Sequence, residues 1–166
     1  VAASIKADLA DRVEALVAKG VTPGLGTVLV GDDGPSANYV AMKHRDCEAL
    51  GITSRHAHLP ADATQRDVLD VVAELNADPT VDAYLMQYPF PSHLDFESAL
   101  LAVDADKDVD GLHPVNLGKL VQGVAGPIPC TPAGNQALLE NYEVPVAGRH
   151  VVIVGRGVTI GRPLAN

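Results

Sequence analysis

The stretch that decides the fold runs from Leu25 to Leu59, LGTVLVGDDGPSANYVAMKHRDCEALGITSRHAHL. LGTVLVG is a short apolar run bounded by turn residues, which predicts a buried strand, and DDGPS supplies the turn that follows. Ser36 is placed to cap a helix that runs to Leu50, with Gly51 as its stop. ITSRHAHL alternates partially and predicts a second strand. A strand, a helix and a strand within 35 residues make a βαβ unit, whose two strands must run parallel.

The pattern extends in both directions. Upstream, Ile5, Leu9, Val13, Leu16 and Val17 recur at helical spacing, with Ser4 as the expected cap and Gly20 as the stop. Downstream, Thr64 or Asp62 can cap a helix whose apolar face is Val68, Val71, Val72 and Leu75. VDAYLMQ, residues 81–87, predicts a third strand, and LDFESALLAV, residues 94–103, a short helix. Strands alternating with helices predict an α/β fold, a parallel sheet covered on both faces in three layers. Such sheets gather their binding sites at the C-terminal ends of strands. Gln87 and the Gly31–Ser36 turn both fall at such ends.

A second region begins with IPCTPAGNQALLENY. It predicts a helix with Thr131 as N-cap and Pro132 at the first helical position. VPVAGRHVVIVGRGVTIGRPLA follows, read as a turn, a buried strand, a glycine-rich loop and a helix start. That order predicts the opening of a Rossmann-like nucleotide-binding domain. The expected division is residues 1–136 for the first domain and 137–166 for the linker helix and the start of the second. The first residue is not Met, and the last follows a helix start, so the chain reads as a fragment of a longer protein.

Composition excludes some classes. With 47% hydrophobic and 20% charged residues in 166, the chain is globular rather than disordered. The formal net charge of -9, without a basic patch, argues against a nucleic-acid partner. No apolar run reaches membrane-spanning length and no signal-peptide pattern is present, so no membrane partner is expected. Cys47 and Cys130 lack metal-ligand spacing and are expected as reduced thiols in a cytoplasmic protein. No metal is expected.

Four groups of residues can carry chemistry. Val40, Lys43, Cys47 and Leu50 share one helical stripe, and a lysine in an apolar stripe either snorkels or is used. Tyr39 lies four residues before Lys43, on the same helix face. Gln87, at a buried strand end, must find hydrogen-bond partners, either a loop or a ligand. Asp108 and Asp110 in DVDG point to one side if extended, and one can accept N–H donors of a heterocycle or serve a solvated turn. In GRGVTIG, Gly155, Gly157 and Gly161 are spaced G-x-G-x-x-x-G, and such a loop before a helix can hold a phosphate. Arg156 and Arg162 add positive charge there, and Arg156 favours a ribose 2′-phosphate, hence NADP over NAD. His56, His58, His93 and His113 form no ligand motif.

Five stretches in register resemble one family: VGDDGPSANYVAMKHRDCEALGI, MQYPFP, KDVDGLHPVNLGKL, PCTPAG and VAGRHVVIVGRGVTIGRPLA. The chain is similar to the bifunctional methylenetetrahydrofolate dehydrogenase/methenyltetrahydrofolate cyclohydrolases, over nearly its whole length. The Ala-, Val- and Asp-rich style resembles an actinobacterial member. The resemblance implies NADP-dependent oxidation of 5,10-methylenetetrahydrofolate and hydrolysis of the product to 10-formyltetrahydrofolate. It implies that Lys43 is the acid/base group of the hydrolysis, that Tyr39 stacks near the folate, and that Gln87 tunes the lysine. Asp110 would grip the pterin ring, Asp108 would be structural, and Pro89 and Pro91 would shape the loop under the substrate. Gly155, Arg156, Gly157, Gly161 and Arg162 would form the cofactor loop, with NADP the expected cofactor and NAD possible. A homodimer is implied for the full-length form.

The chain departs from the family at Tyr88 and Phe90, where leucine is common, and at Gly157, where serine is usual. The latter bears on the choice between NADP and NAD. Three alternatives stand beside this reading. One is a monofunctional dehydrogenase, and another is a non-catalytic folate- or nucleotide-binding module. The third is a related α/β dehydrogenase such as one acting on shikimate, against which DVDG and PFP argue.

Overall fold

The computed structural model describes residues 1–166. The chain falls into two compact units, one of Ala3–Lys107 and one of Asp108–Asn166 joined by Val1–Ala2.

The unit of Ala3–Lys107 contains a three-stranded parallel sheet. Its strands are β1 (Gly24–Val30), β2 (Thr53–Leu59) and β3 (Ala83–Met86), in the order β2-β1-β3. Helix α1 (Ala2–Val17) precedes the sheet, α2 (Gly34–Leu50) connects β1 to β2, α3 (Gln65–Ala77) connects β2 to β3, and α4 (Phe96–Ala102) follows. Register pairs Thr27 with His56 on one side and with Leu85 on the other. β1 is therefore central, and Val28, Leu29 and Val30 are almost wholly buried.

Alternation along β1 assigns the two faces. Val28 and Val30 join Val68, Val72 and Leu75 of α3 and Ala99 of α4 in the main core. Thr27 faces the opposite way and meets His44 of α2. Helices thus cover both faces, as an α/β parallel sheet requires. β2 and β3 are the edge strands, and most residues of β2 are exposed.

Local chemistry sets the helix ends. Asp33, not Ser36, caps α2. Its carboxylate accepts the Ser36 N–H at 2.9 Å, and Gly34 and Pro35 occupy the first two helical positions. Proline fits there because a first-turn N–H has no partner within the helix. Those bonds hold the Asp33 carboxyl below its ordinary value. Gly51, at φ 75°, closes the helix as expected. Thr64 caps α3 in a reciprocal capping box with Asp67. α1 begins at Ala2, so Ser4 lies within its first turn rather than before it. Alanine favours helix enough to extend the element upstream. Of its apolar stripe only Val13 is buried, while Ile5, Leu16 and Val17 are exposed.

The unit of Asp108–Asn166 holds α5 (Pro114–Val121), α6 (Cys130–Asn141) and α7 (Gly161–Ala165). α5 is not anticipated above; its signal is Pro114 at the first helical position, with His113 Nδ1 accepting the Val115 N–H. α6 starts earlier than the expected Thr131 cap. The Ala133 N–H donates to Pro129 O at 3.1 Å, so Pro129 is the N-cap and Thr131 and Pro132 lie within the first turn. The strand expected at VVIV does not form. A parallel strand is held by ladder bonds to neighbours. No other strand lies in this unit, and Val152 and Val154 are exposed.

Candidate functional site

The site in the first unit grows from two places in the sheet. α2 is fixed over the Thr27 face of β1, with Val40 and Cys47 buried beneath it. Lys43 lies on the same stripe, half-buried between them in sequence. β3 ends at Met86, and the Gln87 N–H donates to Val28 O at 2.8 Å. The sheet ladder therefore holds the Gln87 backbone one residue beyond the strand.

These two elements bring Lys43 and Gln87 together. Lys43 Nζ donates to Gln87 Oε1 at 3.1 Å, across 44 residues of sequence. Gln87 Nε2 donates to Tyr88 O at 2.8 Å, so both ends of the amide are engaged. Tyr39, one turn before Lys43, places its ring 6.0 Å from Nζ and stays 58% exposed, with ring surface left for another molecule. An ammonium with one donor committed to an amide keeps two for another acceptor. Lys43, Tyr39 and Gln87 are thus gathered in one place, a grouping that only the family resemblance implied.

The loop after Gln87 contains a cis peptide bond between Tyr88 and Pro89. Pro89 is exposed and Pro91 half-buried. Tyr88 and Phe90 each meet Phe96 edge-to-face, with ring centroids 5.4 and 5.0 Å apart. Sequence reading noted the bulk at Tyr88 and Phe90 but missed Phe96. Its signal was its place at the first position of a capped helix eight residues on.

A second polar group that sequence reading missed lies on the other side of α2. Thr27 Oγ1 bonds His44 Nε2 at 3.0 Å and His56 Nδ1 at 2.9 Å. The His44 and His56 rings are 5.2 Å apart, and His56 stacks on His58 at 5.9 Å. Burial pushes both His44 and His56 below the ordinary histidine value, and the two neighbouring imidazoles push His56 further. Alternation of His56 and His58 on one strand face was the available signal.

In the other unit, Asp108 is buried. Its Oδ2 accepts the His113 N–H at 2.8 Å and the Asn116 side-chain amide at 2.9 Å. This agrees with the structural role expected for it. Asp110 is half-buried, and the Cys130 thiol approaches its Oδ1 at 3.8 Å and Val109 O at 3.9 Å. Gly111, next in the chain, takes φ 64°, and a Cβ there would lie 2.9 Å from Pro127 O. The DVDG loop is therefore clamped against the residues that lead into α6.

The glycine loop closes on itself. The Arg162 N–H donates to Gly157 O at 3.0 Å, and a Cβ on Gly161 would lie 2.3 Å from Gly155 O. Gly161 is buried, whereas Gly155, Arg156, Gly157 and Arg162 are exposed. The turn thus requires glycine where its two ends meet, and it offers backbone and two guanidinium groups to the surroundings.

Comparison with known proteins places this arrangement. Residues 1–110 match the tetrahydrofolate dehydrogenase/cyclohydrolase catalytic domain, and residues 129–166 match the NAD(P)-binding domain of the same family. The chain is 53% identical over 165 residues to the bifunctional protein FolD of Syntrophotalea carbinolica, and 56% identical to bifunctional protein FolD 1 of Salinispora tropica. Each comparison covers 99% of this chain, which spans 57% and 54% of those relatives. Among solved structures it superposes with TM-score 0.95 on the bifunctional FolD enzyme of Campylobacter jejuni, at 40% identity over 98% of this chain and 58% of that one. The Trypanosoma brucei FolD, complexed with NADP cofactor and inhibitor, also gives 0.95, at 34% identity over 99% of this chain and 57% of that one. The chain belongs to the tetrahydrofolate dehydrogenase/cyclohydrolase family.

Proposed function

We propose that this chain is part of a bifunctional enzyme that oxidises 5,10-methylenetetrahydrofolate with NADP and hydrolyses the 5,10-methenyl product to 10-formyltetrahydrofolate. The observation that carries the reading is the 3.1 Å bond between Lys43 Nζ and Gln87 Oε1, on a half-buried lysine beside an exposed tyrosine ring.

In the hydrolytic step a water oxygen bonds to the electrophilic bridge carbon and loses a proton, and then one carbon–nitrogen bond breaks as that nitrogen gains a proton. Lys43 is the group that carries protons in these transfers. Gln87 holds its amine in one direction, and Tyr39 offers a face to the folate. Pro89 and Pro91 shape the loop beside them, and Asp110 accepts N–H donors of the pterin ring. Asp108 is assigned no chemistry.

NADP fits the glycine loop, because nothing lies within 4 Å of where a Cβ would stand at Gly155 or Gly157. Gly155, Arg156, Gly157, Gly161 and Arg162 would hold it, with Arg156 preferring a 2′-phosphate and so NADP over NAD. When bound, the cofactor supplies the hydride acceptor. The match of residues 129–166 to the family's NAD(P)-binding domain supports this. We divide the functions at residues 1–136 for folate and 137–166 for the start of the cofactor domain. The natural protein is read as an actinobacterial, cytoplasmic homodimer without nucleic-acid or membrane partners. No helix is long and apolar enough to cross a membrane.

The test is a two-signal assay on the full-length protein, with methylenetetrahydrofolate and either NADP or NAD. Reduction of nicotinamide without methenyl accumulation is expected. Methenyl build-up would leave a dehydrogenase alone, and folate binding without any reduction would leave a binding module.

A further inference from the structure

Tyr88, Phe90 and Phe96 form an aromatic group at the end of β3. Phe96 receives the edge or face of both other rings, at 5.4 and 5.0 Å and nearly perpendicular. Such pairs favour a fixed angle as well as burial. Phe96 is itself held from below. It is the first residue of α4, directly after Asp95. The Asp95 N–H donates to Gln65 Oε1 at 2.9 Å, and Gln65 Nε2 donates back to Asp95 O at 3.1 Å. Gln65 is in turn the first residue of α3, directly after its N-cap Thr64.

The group bears on the lysine through one amide. Gln87 Nε2 donates to the carbonyl of Tyr88, and Gln87 Oε1 accepts from Lys43. Where the Tyr88 carbonyl points therefore sets the plane of the Gln87 amide. Tyr88 is 65% exposed, and its ring meets Phe96 edge-to-face. We propose that Phe96 and Tyr88 are positioning residues: their edge-to-face contact fixes the Tyr88 carbonyl, which orients the Gln87 amide and so aims Lys43 Nζ. The inference deepens the hydrolytic reading above and rests on it for its kinetic consequence, though not for its geometry.

The effect on Lys43 is routed through Gln87, which makes it separable from the packing of Phe96 on Phe90 and the core. A displacement of about 1 Å in a reacting group costs up to roughly a hundredfold in rate. Phe96→Leu is expected to lower kcat for methenyltetrahydrofolate hydrolysis about tenfold, with KM within about twofold. Tyr88→Leu removes the same ring contact from the exposed side, and its kcat is expected to fall about fivefold. Tyr88→Phe keeps the ring and is expected to retain wild-type kcat. In a Gln87→Ala background, Phe96→Leu is expected to add less than about twofold, because no amide is left to orient.

A second readout needs no turnover. With lysine labelled at Cε, the Lys43 Cε resonance at one fixed pH, followed by NMR, should move in Phe96→Leu in the same direction as in Gln87→Ala. It should move no further in the double variant. If the wild-type protein does not hydrolyse the methenyl compound, the proposed function fails and this resonance alone decides the positioning role. An equal loss of kcat from Phe96→Leu in both backgrounds, or an unmoved Lys43 resonance in the folded variant, overturns the inference.

Discussion

Lys43 Nζ meets Gln87 Oε1 at 3.1 Å, joining the middle of α2 to the residue that follows β3. The two are placed by different forces. Packing of Val40 and Cys47 fixes the lysine's helix face, and the sheet ladder fixes the glutamine's backbone. Gln87→Ala removes the acceptor while leaving the Gln87 N–H bond to Val28 O intact. The protein should fold normally, with a thermal midpoint close to wild type, while hydrolysis of the methenyl compound falls at least about tenfold, a loss of about 1.4 kcal/mol of transition-state stabilisation. Thermal scans and initial rates on the same preparation check both halves.

Asp108 is 3% exposed and serves two donors. Asp108→Ala leaves the His113 N–H and the Asn116 amide without this acceptor. Losing an acceptor for buried donors costs about 1–3 kcal/mol per group. Urea unfolding should show a loss of about 3 kcal/mol, and an effect below about 1 kcal/mol would mean that water or neighbouring groups replace the carboxylate.

Gly111 combines φ 64° with a crowded surround. A Cβ there would lie 2.9 Å from Pro127 O and 3.0 Å from both Ile128 C and Pro129 N. These are backbone atoms, which cannot swing aside as a side chain can. Gly111→Ala should destabilise the protein by about 2 kcal/mol or more, from the left-handed backbone and the clash together. Since the loop carries Asp110, folate affinity measured by calorimetry should weaken as well. Gly118→Ala, in α5 with nothing within 4 Å of an added Cβ, is the control and should be neutral or stabilising.

The Thr27–His44–His56 group makes stability depend on pH. Burial lowers the folded-state values of both imidazoles below 6.5, so the fold favours their neutral forms. Near that value the unfolded chain binds more protons than the native one, and stability then rises with pH. The contribution is therefore full above pH 6.5 and declines as pH falls through 6.5 toward the folded-state values. The lowered Asp33, Asp67 and Asp78 carboxyls act at more acid pH, their contribution present above 3.8 and lost as pH falls through their lower folded values. Urea midpoints should decline between about pH 7 and pH 5 in the native protein, and more shallowly in His44→Gln/His56→Gln. An equal slope in both would place the acid sensitivity elsewhere.

Much of the first unit was legible because its signals were local and agreed with one another. The apolar run LGTVLVG, the Gly51 stop and the Thr64 cap each specify what they adopt. The parallel order followed from helices long enough to cross over. Cap choice was less legible at α2, where Asp33 and Ser36 both suit the role and the Gly34–Pro35 pair decides for the earlier residue. α5 went unread because Pro114 in a polar loop reads equally as a turn. The VVIV segment has every local mark of a strand, but a strand is completed by neighbours, which its unit does not provide. At the site, the helical spacing of Tyr39 and Lys43 was readable from the chain. Their meeting with Gln87 was not, since nothing local encodes a bond across 44 residues. Thr27 with His44 and His56 was hidden for the same reason.

The most direct measurement is the hydrolysis of methenyltetrahydrofolate by the full-length protein and by Lys43→Met, with folate affinity measured on both. Methionine keeps the length and apolar stem of the side chain and removes its amine. The account predicts a loss of hydrolysis of at least about a hundredfold, with folate affinity within about threefold of wild type. Hydrolysis in Lys43→Met within about threefold of the wild-type rate would contradict it.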